Sequence, residues 1–150
     1  MQVYNIPAQD AHKTLGAGRY DLVVSNPPYT AAGDGEHNLS RTLALSRHEI
    51  ALTLDELVES ASKLVRYGGN FCFVHQAERI SDICCTLAKY GFQAKRLRFV
   101  SGRVGLAPTL VLVEAKRGGK IGTKVERELV LYDLDGKETP ELSAIYARED

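Results

Sequence analysis

Along this chain, short runs of unbroken apolar residues alternate with longer stretches in which apolar residues recur every three or four positions. Leu22, Val23 and Val24 stand together, as do Phe71, Cys72, Phe73 and Val74, and residues 109–115 are almost wholly apolar. Runs this short, rich in β-branched and aromatic side chains, predict strands covered on both faces, as in a parallel or mixed sheet between helices. Leu54, Leu57, Val58, Ala61, Leu64 and Val65 have helical spacing, as do Ile80, Ile83, Cys84, Leu87 and Ala88. Each set predicts a helix that buries one face.

Capping residues and glycines set the expected boundaries. Thr53-Leu54-Asp55-Glu56 has the form of a capping box, in which the Thr53 and Glu56 side chains satisfy each other's backbone N–H groups, so a helix should start there. Gly68 supplies a left-handed stop, which predicts that this helix runs to about Tyr67. A second helix is expected over residues 78–90, ended by Gly91. Residues 93–100 alternate, and only a loop with Gly102, Gly105 and Pro108 separates them from the run 109–115, which predicts an antiparallel hairpin. Towards the end, residues 127–134 read as a strand and Asp135-Gly136 as a turn. Thr139 then caps a short helix with Pro140 at its first position. Near the start, residues 3–6 read as a short strand, and Asp10 is placed to cap a helical turn through Ala11 and Thr14. The order of strands and helices predicts an α/β fold with a mixed sheet.

The stretch 20–29, Tyr-Asp-Leu-Val-Val-Ser-Asn-Pro-Pro-Tyr, joins an apolar strand to a rigid polar tip. Asn26 falls at the carboxyl end of the strand, where open α/β sheets bind ligands. Pro27 and Pro28 fix two φ angles and remove two backbone donors, which stiffens the tip. By itself, Asn-Pro-Pro after a strand also reads as an ordinary loop entry. In its setting, Asn26-Pro27-Pro28-Tyr29 resembles the Asn/Asp-Pro-Pro-Tyr/Phe motif of the adenine-specific methyltransferases that use S-adenosylmethionine.

The resemblance implies the carboxyl part of a Rossmann-like class I methyltransferase fold, whose mixed sheet carries an antiparallel edge hairpin. It implies that the Asn26 side-chain oxygen and the Pro27 carbonyl accept the two hydrogens of an exocyclic amine, with Pro28 stiffening the turn and Tyr29 stacking on the base. Stacking of that kind contributes about 1–3 kcal/mol per base. It further implies that Asp10, with Ala11 beside it, lies by the adenine of the cofactor. The cofactor itself is S-adenosylmethionine, and no metal is needed. Arg47-His48-Glu49 beyond the motif, and Arg117-Gly118-Gly119 further on, are similar to features of one branch, the methyltransferases that modify adenine beside the anticodon of a valine transfer RNA. In that branch Arg47 and His48 would join Tyr29 in holding the substrate. The polar, glycine-rich residues 30–38 would form a loop that closes over it. Arg47-His48-Glu49 equally reads as a solvated helix face.

No strand leading into a Gly-rich turn precedes Tyr20, and the first twenty positions have no room for two strands and their helices. The expectation is therefore one methyltransferase domain over residues 1–150, incomplete, beginning near the family's third strand. Two other readings stand beside tRNA methylation. One is a non-catalytic, dimerising or RNA-binding remnant of such a domain. The other is methylation of protein glutamine, whose enzymes share the motif. The strand at 20–25 is also expected to lack a neighbour on one side. This predicts self-association through that edge, or its capping by residues 3–6.

Composition narrows the partners. With 150 residues, 44% hydrophobic and 25% charged, the chain can bury a core. Zero formal net charge excludes a polycation that coats nucleic acid, so contact with RNA must come from a local patch. Lys95, Arg96, Arg98 and Arg103, with Lys116, Arg117, Lys120 and Lys124, provide one candidate, and equally provide a solvated edge that resists aggregation. No run is long enough to span a bilayer and the start has no signal-like pattern, so no membrane partner and a cytoplasmic location are expected. Cys72, Cys84 and Cys85 lack metal-type spacing and read as buried, reduced thiols. His75, at a strand end, reads as a structural residue rather than a ligand.

Overall fold

A computed structural model describes residues 1–27 and 52–147. Pro28, Tyr29, Arg47, His48 and the loop 30–38 lie outside the described residues. A 3-10 turn, Ala8–Asp10, leads into helix α1, Ala11–Leu15, and then strand β1, Tyr20–Ser25. Helix α2 is Leu54–Leu64 and strand β2 Val65–Gln76; a second 3-10 turn, Ala77–Arg79, precedes helix α3, Ile80–Lys89. Strands β3, Phe92–Arg103, and β4, Leu110–Arg117, follow, then the short β5, Lys124–Val125, and β6, Leu129–Tyr132. Helix α4, Pro140–Tyr146, comes last.

The strands form one mixed sheet in the order β1-β2-β4-β3-β5, with β6 also on β3. β1 and β2 are parallel, with Val23 beside Phe71 and Ser25 beside Phe73. β4 runs antiparallel to both β2 and β3, so the expected hairpin is present, and the parallel β5 and β6 extend the sheet beyond it.

Register explains the core. Val23, Phe71, Ala115 and Ala94 fall in one row, and Phe73, Val113 and Leu97 in another, all on the same face. Helices α2 and α3 cover that face with Leu57, Val58, Ala61, Ile83 and Leu87. The rings of Phe71 and Phe73 stack at 4.6 Å, and Phe92 packs against Phe71 at 5.9 Å. The apolar side chains on this face are thus covered, but Leu22, Val24 and Leu112 on the opposite face are exposed, so among the described residues these strands are covered on one face and not on both as expected. Cys84 and Cys85 are exposed free thiols rather than buried ones, because α3 turns Ile83 and Leu87 inward and carries Cys84 and Ala88 round to solvent.

The capping box at α2 forms as expected. The Glu56 N–H donates to Thr53 Oγ1 at 3.2 Å and the Thr53 N–H to Glu56 Oε2 at 2.9 Å. The helix ends earlier than expected, at Leu64. Val65, β-branched and fully buried, has already entered the sheet beside Tyr20. The next pair is Leu22 with Asn70, so Arg66, Tyr67, Gly68 and Gly69 form a bulge in β2. Gly68 does adopt a positive φ of 78°, but within this bulge rather than at a helix end. Residues 3–6 form no strand and do not pair with β1; Pro7, at φ −59°, instead leads the chain into the first 3-10 turn. At the far end, Thr139 caps α4 by accepting from the Leu142 N–H, as its sequence predicts.

Gly69 lies close against the backbone of β1. A Cβ there would stand 2.8 Å from Val65 Cγ1 and 3.0 Å from the backbone oxygens of Asp21 and Arg66, which cannot swing away. Gly102, in β3, has nothing within 4 Å of the same position and no positive φ. Gly69→Ala is therefore expected to lower unfolding stability by about 1–3 kcal/mol through overpacking. Gly102→Ala should be neutral or stabilising, by up to about 1 kcal/mol. Urea unfolding of both variants checks the contrast.

Candidate functional site

β1 presents Asn26 and Pro27 as the first residues beyond its carboxyl end. Pro27 is buried and Asn26 is exposed. Continuing the register from Ser25 beside Phe73 brings Asn26 level with Val74, and Pro27 level with His75. Pro27 is packed against the sheet while the Asn26 amide faces away from it, and the amide makes no hydrogen bond to another described residue. It can accept a hydrogen from a bound group without first breaking an internal bond.

His75 ends the same row on β2 and is 6% exposed. Its Nδ1 accepts from the Gln76 N–H at 2.8 Å, which leaves Nε2 to carry the proton of the neutral ring. Burial, and then the nearby charge of Arg79, push its pKa below the ordinary histidine value. His75 thus has the hydrogen bond of a structural histidine, and by register it is level with Pro27.

Asp10 and Ala11 occupy the same end of the molecule. α2 ends where β2 begins, so its first turn lies towards the carboxyl ends of β1 and β2, and the 3-10 turn before α1 packs on α2. The Glu56 carboxyl is held below its usual pKa by the Thr53 amide and hydroxyl, with a smaller contribution from Gln9, which places Gln9 at that first turn. Asp10 does sit at the N-cap of α1, but its carboxylate makes no capping bond and pairs with Lys13 at 2.6 Å. That contact lowers its pKa. Ala11 is buried. Beside them His12 Nδ1, for which the sequence offered no signal, is buried without a partner among the described residues. Asp10, Ala11 and Asn26 thus share one end of the sheet.

The basic residues behave differently from a phosphate track. Arg96 pairs with Glu114 at 2.8 Å and Glu126 at 3.0 Å, and Lys124 with Glu126 at 3.3 Å. Arg98 reaches Glu141, and Lys95 donates to the carbonyls of Lys120 and Gly122. Arg117 donates to the Val65 carbonyl. Gly118, at φ 67°, lies under the Tyr67 ring, where a Cβ would meet Cε2 at 2.1 Å. Arg117-Gly118-Gly119 therefore clamps the start of β2. Lys116 pairs across from Asn70, which is level with Leu22, four residues before Asn26 and so about 13 Å away along the strand. Among the described residues, no group of His, Cys, Asp or Glu could hold a metal ion, and no helix is long and apolar enough to cross a membrane.

The architecture is that of solved methyltransferases. It is similar to a predicted O-methyltransferase from Agrobacterium tumefaciens, with a TM-score of 0.67 and 16% identity over 91% of this chain and 56% of that one. It is also similar to the M1.HpyAVI–SAM complex, with a TM-score of 0.51 and 18% identity over 88% of this chain and 66% of that one. The fold is thus that of the class I S-adenosylmethionine-dependent methyltransferases.

In sequence the chain is 32% identical to the tRNA1(Val) (adenine(37)-N6)-methyltransferase of Tolumonas auensis over 133 residues, 89% of this chain and 54% of that relative. It is 31% identical to the enzyme of the same name from Aeromonas hydrophila over 128 residues, 85% of this chain and 52% of that relative. No family model matches. The chain is a homologue of these adenine methyltransferases, which bears out the family resemblance drawn from the sequence, and it spans about half the length of the curated relatives it matches.

His75 gives the site a pH signature. An unfolded histidine titrates near 6.5, and the folded one lower, so between those values the unfolded chain binds more protons and stability falls as pH drops. The urea midpoint should decline from about pH 6.5 to 5, above the range where the carboxylates titrate, and His75→Asn should flatten that decline.

Proposed function

We propose that this chain is the substrate-amine half of a methyltransferase domain that transfers a methyl group from S-adenosylmethionine to the exocyclic N6 amine of adenine in tRNA. The observation that carries this reading is the placement of Asn26-Pro27 at the carboxyl end of β1, with the proline buried and the asparagine side chain exposed. The relatives' names, tRNA1(Val) (adenine(37)-N6)-methyltransferase, favour a tRNA base over the amide of a protein glutamine. A tRNA substrate also puts the protein in the cytoplasm.

The exocyclic amine of adenine is a poor nucleophile because its lone pair is delocalised into the ring. In this reading the Asn26 side-chain oxygen and the Pro27 carbonyl accept its two hydrogens, which draws the nitrogen towards a pyramidal shape and localises the lone pair. Pro28 stiffens the turn, and Tyr29 stacks on the base once it has left its own stack. Arg47 and His48 hold the surrounding RNA. When bound, S-adenosylmethionine supplies a methyl group on a sulfonium. The residues present fit one side of its site: an exposed Asp10 carboxylate and the buried Ala11 stand at the same end of the sheet as Asn26. Residues 1–150 then form part of a single domain. By itself the chain pairs between copies through the open edge of β1.

Two measurements test this. Calorimetry on the 150-residue chain should find S-adenosylmethionine binding weak or absent, because the Gly-rich turn and ribose acid of the family are not in this sequence. Micromolar binding would contradict the half-site reading. In an assembled enzyme, Asn26→Ala should lower kcat by about a hundredfold or more and leave the affinity for tRNA nearly unchanged, because the acceptor bond strengthens as the amine becomes pyramidal. Near-normal turnover would remove Asn26 from the acceptor role.

A further inference from the structure

We propose that His75 is a positioning residue for the site: its imidazole, oriented on β2 by the Gln76 amide, holds the Asn26–Pro27 turn in place through its Nε2 side. This rests on the reading of Asn26 and Pro27 as the acceptors of the substrate amine.

The turn lies where the backbone ladder gives out. β1 is held to β2 in a parallel register that runs from Leu22 beside Asn70 to Ser25 beside Phe73. Pro27 and Pro28 follow, and neither has an N–H to donate to β2. The ladder therefore loses its donors at the point where the acceptors of the site begin. Beyond Ser25, side-chain contacts take over in holding the turn to β2.

His75 is placed to make them. Phe71, Phe73 and His75 are the buried members of an alternating row on β2, on the face that α2 and α3 cover. Carried on by two residues, the register that sets Val23 beside Phe71 and Ser25 beside Phe73 sets Pro27 beside His75, both of them buried, on strands about 4.8 Å apart. A third apolar side chain would continue this row. The histidine instead brings two polar nitrogens into a position that is 6% exposed, and burying them costs stability unless each is bonded.

The two nitrogens have separate tasks. Nδ1 accepts from the Gln76 N–H at 2.8 Å, within β2 itself. That bond sets the tautomer and the rotation of the ring, and leaves Nε2–H as a donor on the opposite side. Burial and the charge of Arg79 lower the pKa, so the ring is neutral at pH 7 and Nδ1 remains free to accept. A donor with a fixed direction, beside a turn whose prolines bring carbonyls and no N–H, is matched to one of those carbonyls. Its effect on the reaction is geometric. It fixes where the Asn26 oxygen and the Pro27 carbonyl stand, and a misplacement of about 1 Å can cost about a hundredfold in rate.

Two substitutions separate the nitrogens. His75→Asn keeps an oxygen where Nδ1 was, able to accept from Gln76, and removes the Nε2 donor. His75→Gln does the reverse, because its amide reaches the place of Nε2. In the 15N-labelled 150-residue chain, the order parameter of the Asn26 amide should be near 0.85, the value of about a rigid backbone, and should fall in His75→Asn but not in His75→Gln. The amides of Phe71 and Phe73 should stay rigid in both variants, which shows that the sheet is intact. In the assembled enzyme with S-adenosylmethionine and unmodified tRNA, His75→Asn should lower kcat about tenfold or more with KM for tRNA nearly unchanged, and His75→Gln should restore most of the loss. The proposal is overturned if His75→Asn leaves both the Asn26 amide and kcat as they were, if His75→Gln is as impaired as His75→Asn, or if the loss falls on KM alone. An assembled enzyme that methylates no adenine even with His75 in place refutes the amine-methylation reading instead, and the amide measurement then decides the role of His75 by itself.

Discussion

The pairing of β1 with β2 is the contact on which the rest depends. Among the described residues β1 has a single strand neighbour, and that pairing sets which side chains of a six-residue segment face the core. With Val23 beside Phe71 and Ser25 beside Phe73, the strand ends so that Pro27 is buried and Asn26 points away from the core. A slip of one residue would exchange Val23 for Val24 on the core face and turn the polar tip over. Gly69 allows the close approach of the strands, and the Arg66–Asp21 contact at 2.6 Å stands over the bulge where the register resumes. Because both charges are exposed, that ion pair adds little to stability, and the apolar row beneath it fixes the register.

The same pairing separates two ends of the molecule with different tasks. At the carboxyl ends of the parallel strands lie Asn26, Pro27, His75, Asp10 and Ala11. At the other end Arg117, Gly118 and Tyr67 lock the start of β2 to the end of β4, and most of the basic side chains nearby are paired with carboxylates or carbonyls. Gly118, the first of the glycine pair that resembled a family feature, has a mechanical reason to be there: no side chain fits under the Tyr67 ring at a backbone angle that already favours glycine.

Much of this was legible in the sequence because local rules and burial agreed. The capping box at Thr53, the Thr139-Pro140 helix start, the hairpin around Gly105 and the strand ending at Asn26 each combine a turn or cap residue with an apolar pattern. Errors arose where long-range packing overrode a local signal. Gly68 looked like a helix stop, but Val65 leaves the helix three residues earlier to pair with Tyr20. Cys84 fits an apolar stripe at helical spacing, yet the stripe that meets the core is narrower and passes through Ile83 and Leu87. The basic cluster could not be judged from sequence, since its carboxylate partners Glu114, Glu126 and Glu141 come from other elements. Of the proposed site, Asn26 and Pro27 are legible in the sequence because the motif they resemble is contiguous. The neighbourhood of His75 beneath them follows only from strand register.

The most direct measurement is of the product. The chain, assembled with the rest of its fold, would be incubated with S-adenosylmethionine and unmodified tRNA, and the RNA digested to nucleosides for mass spectrometry. The account predicts N6-methyladenosine that is absent when Asn26 is replaced. Methylation of another nucleoside, of protein glutamine, or of nothing at all would contradict it.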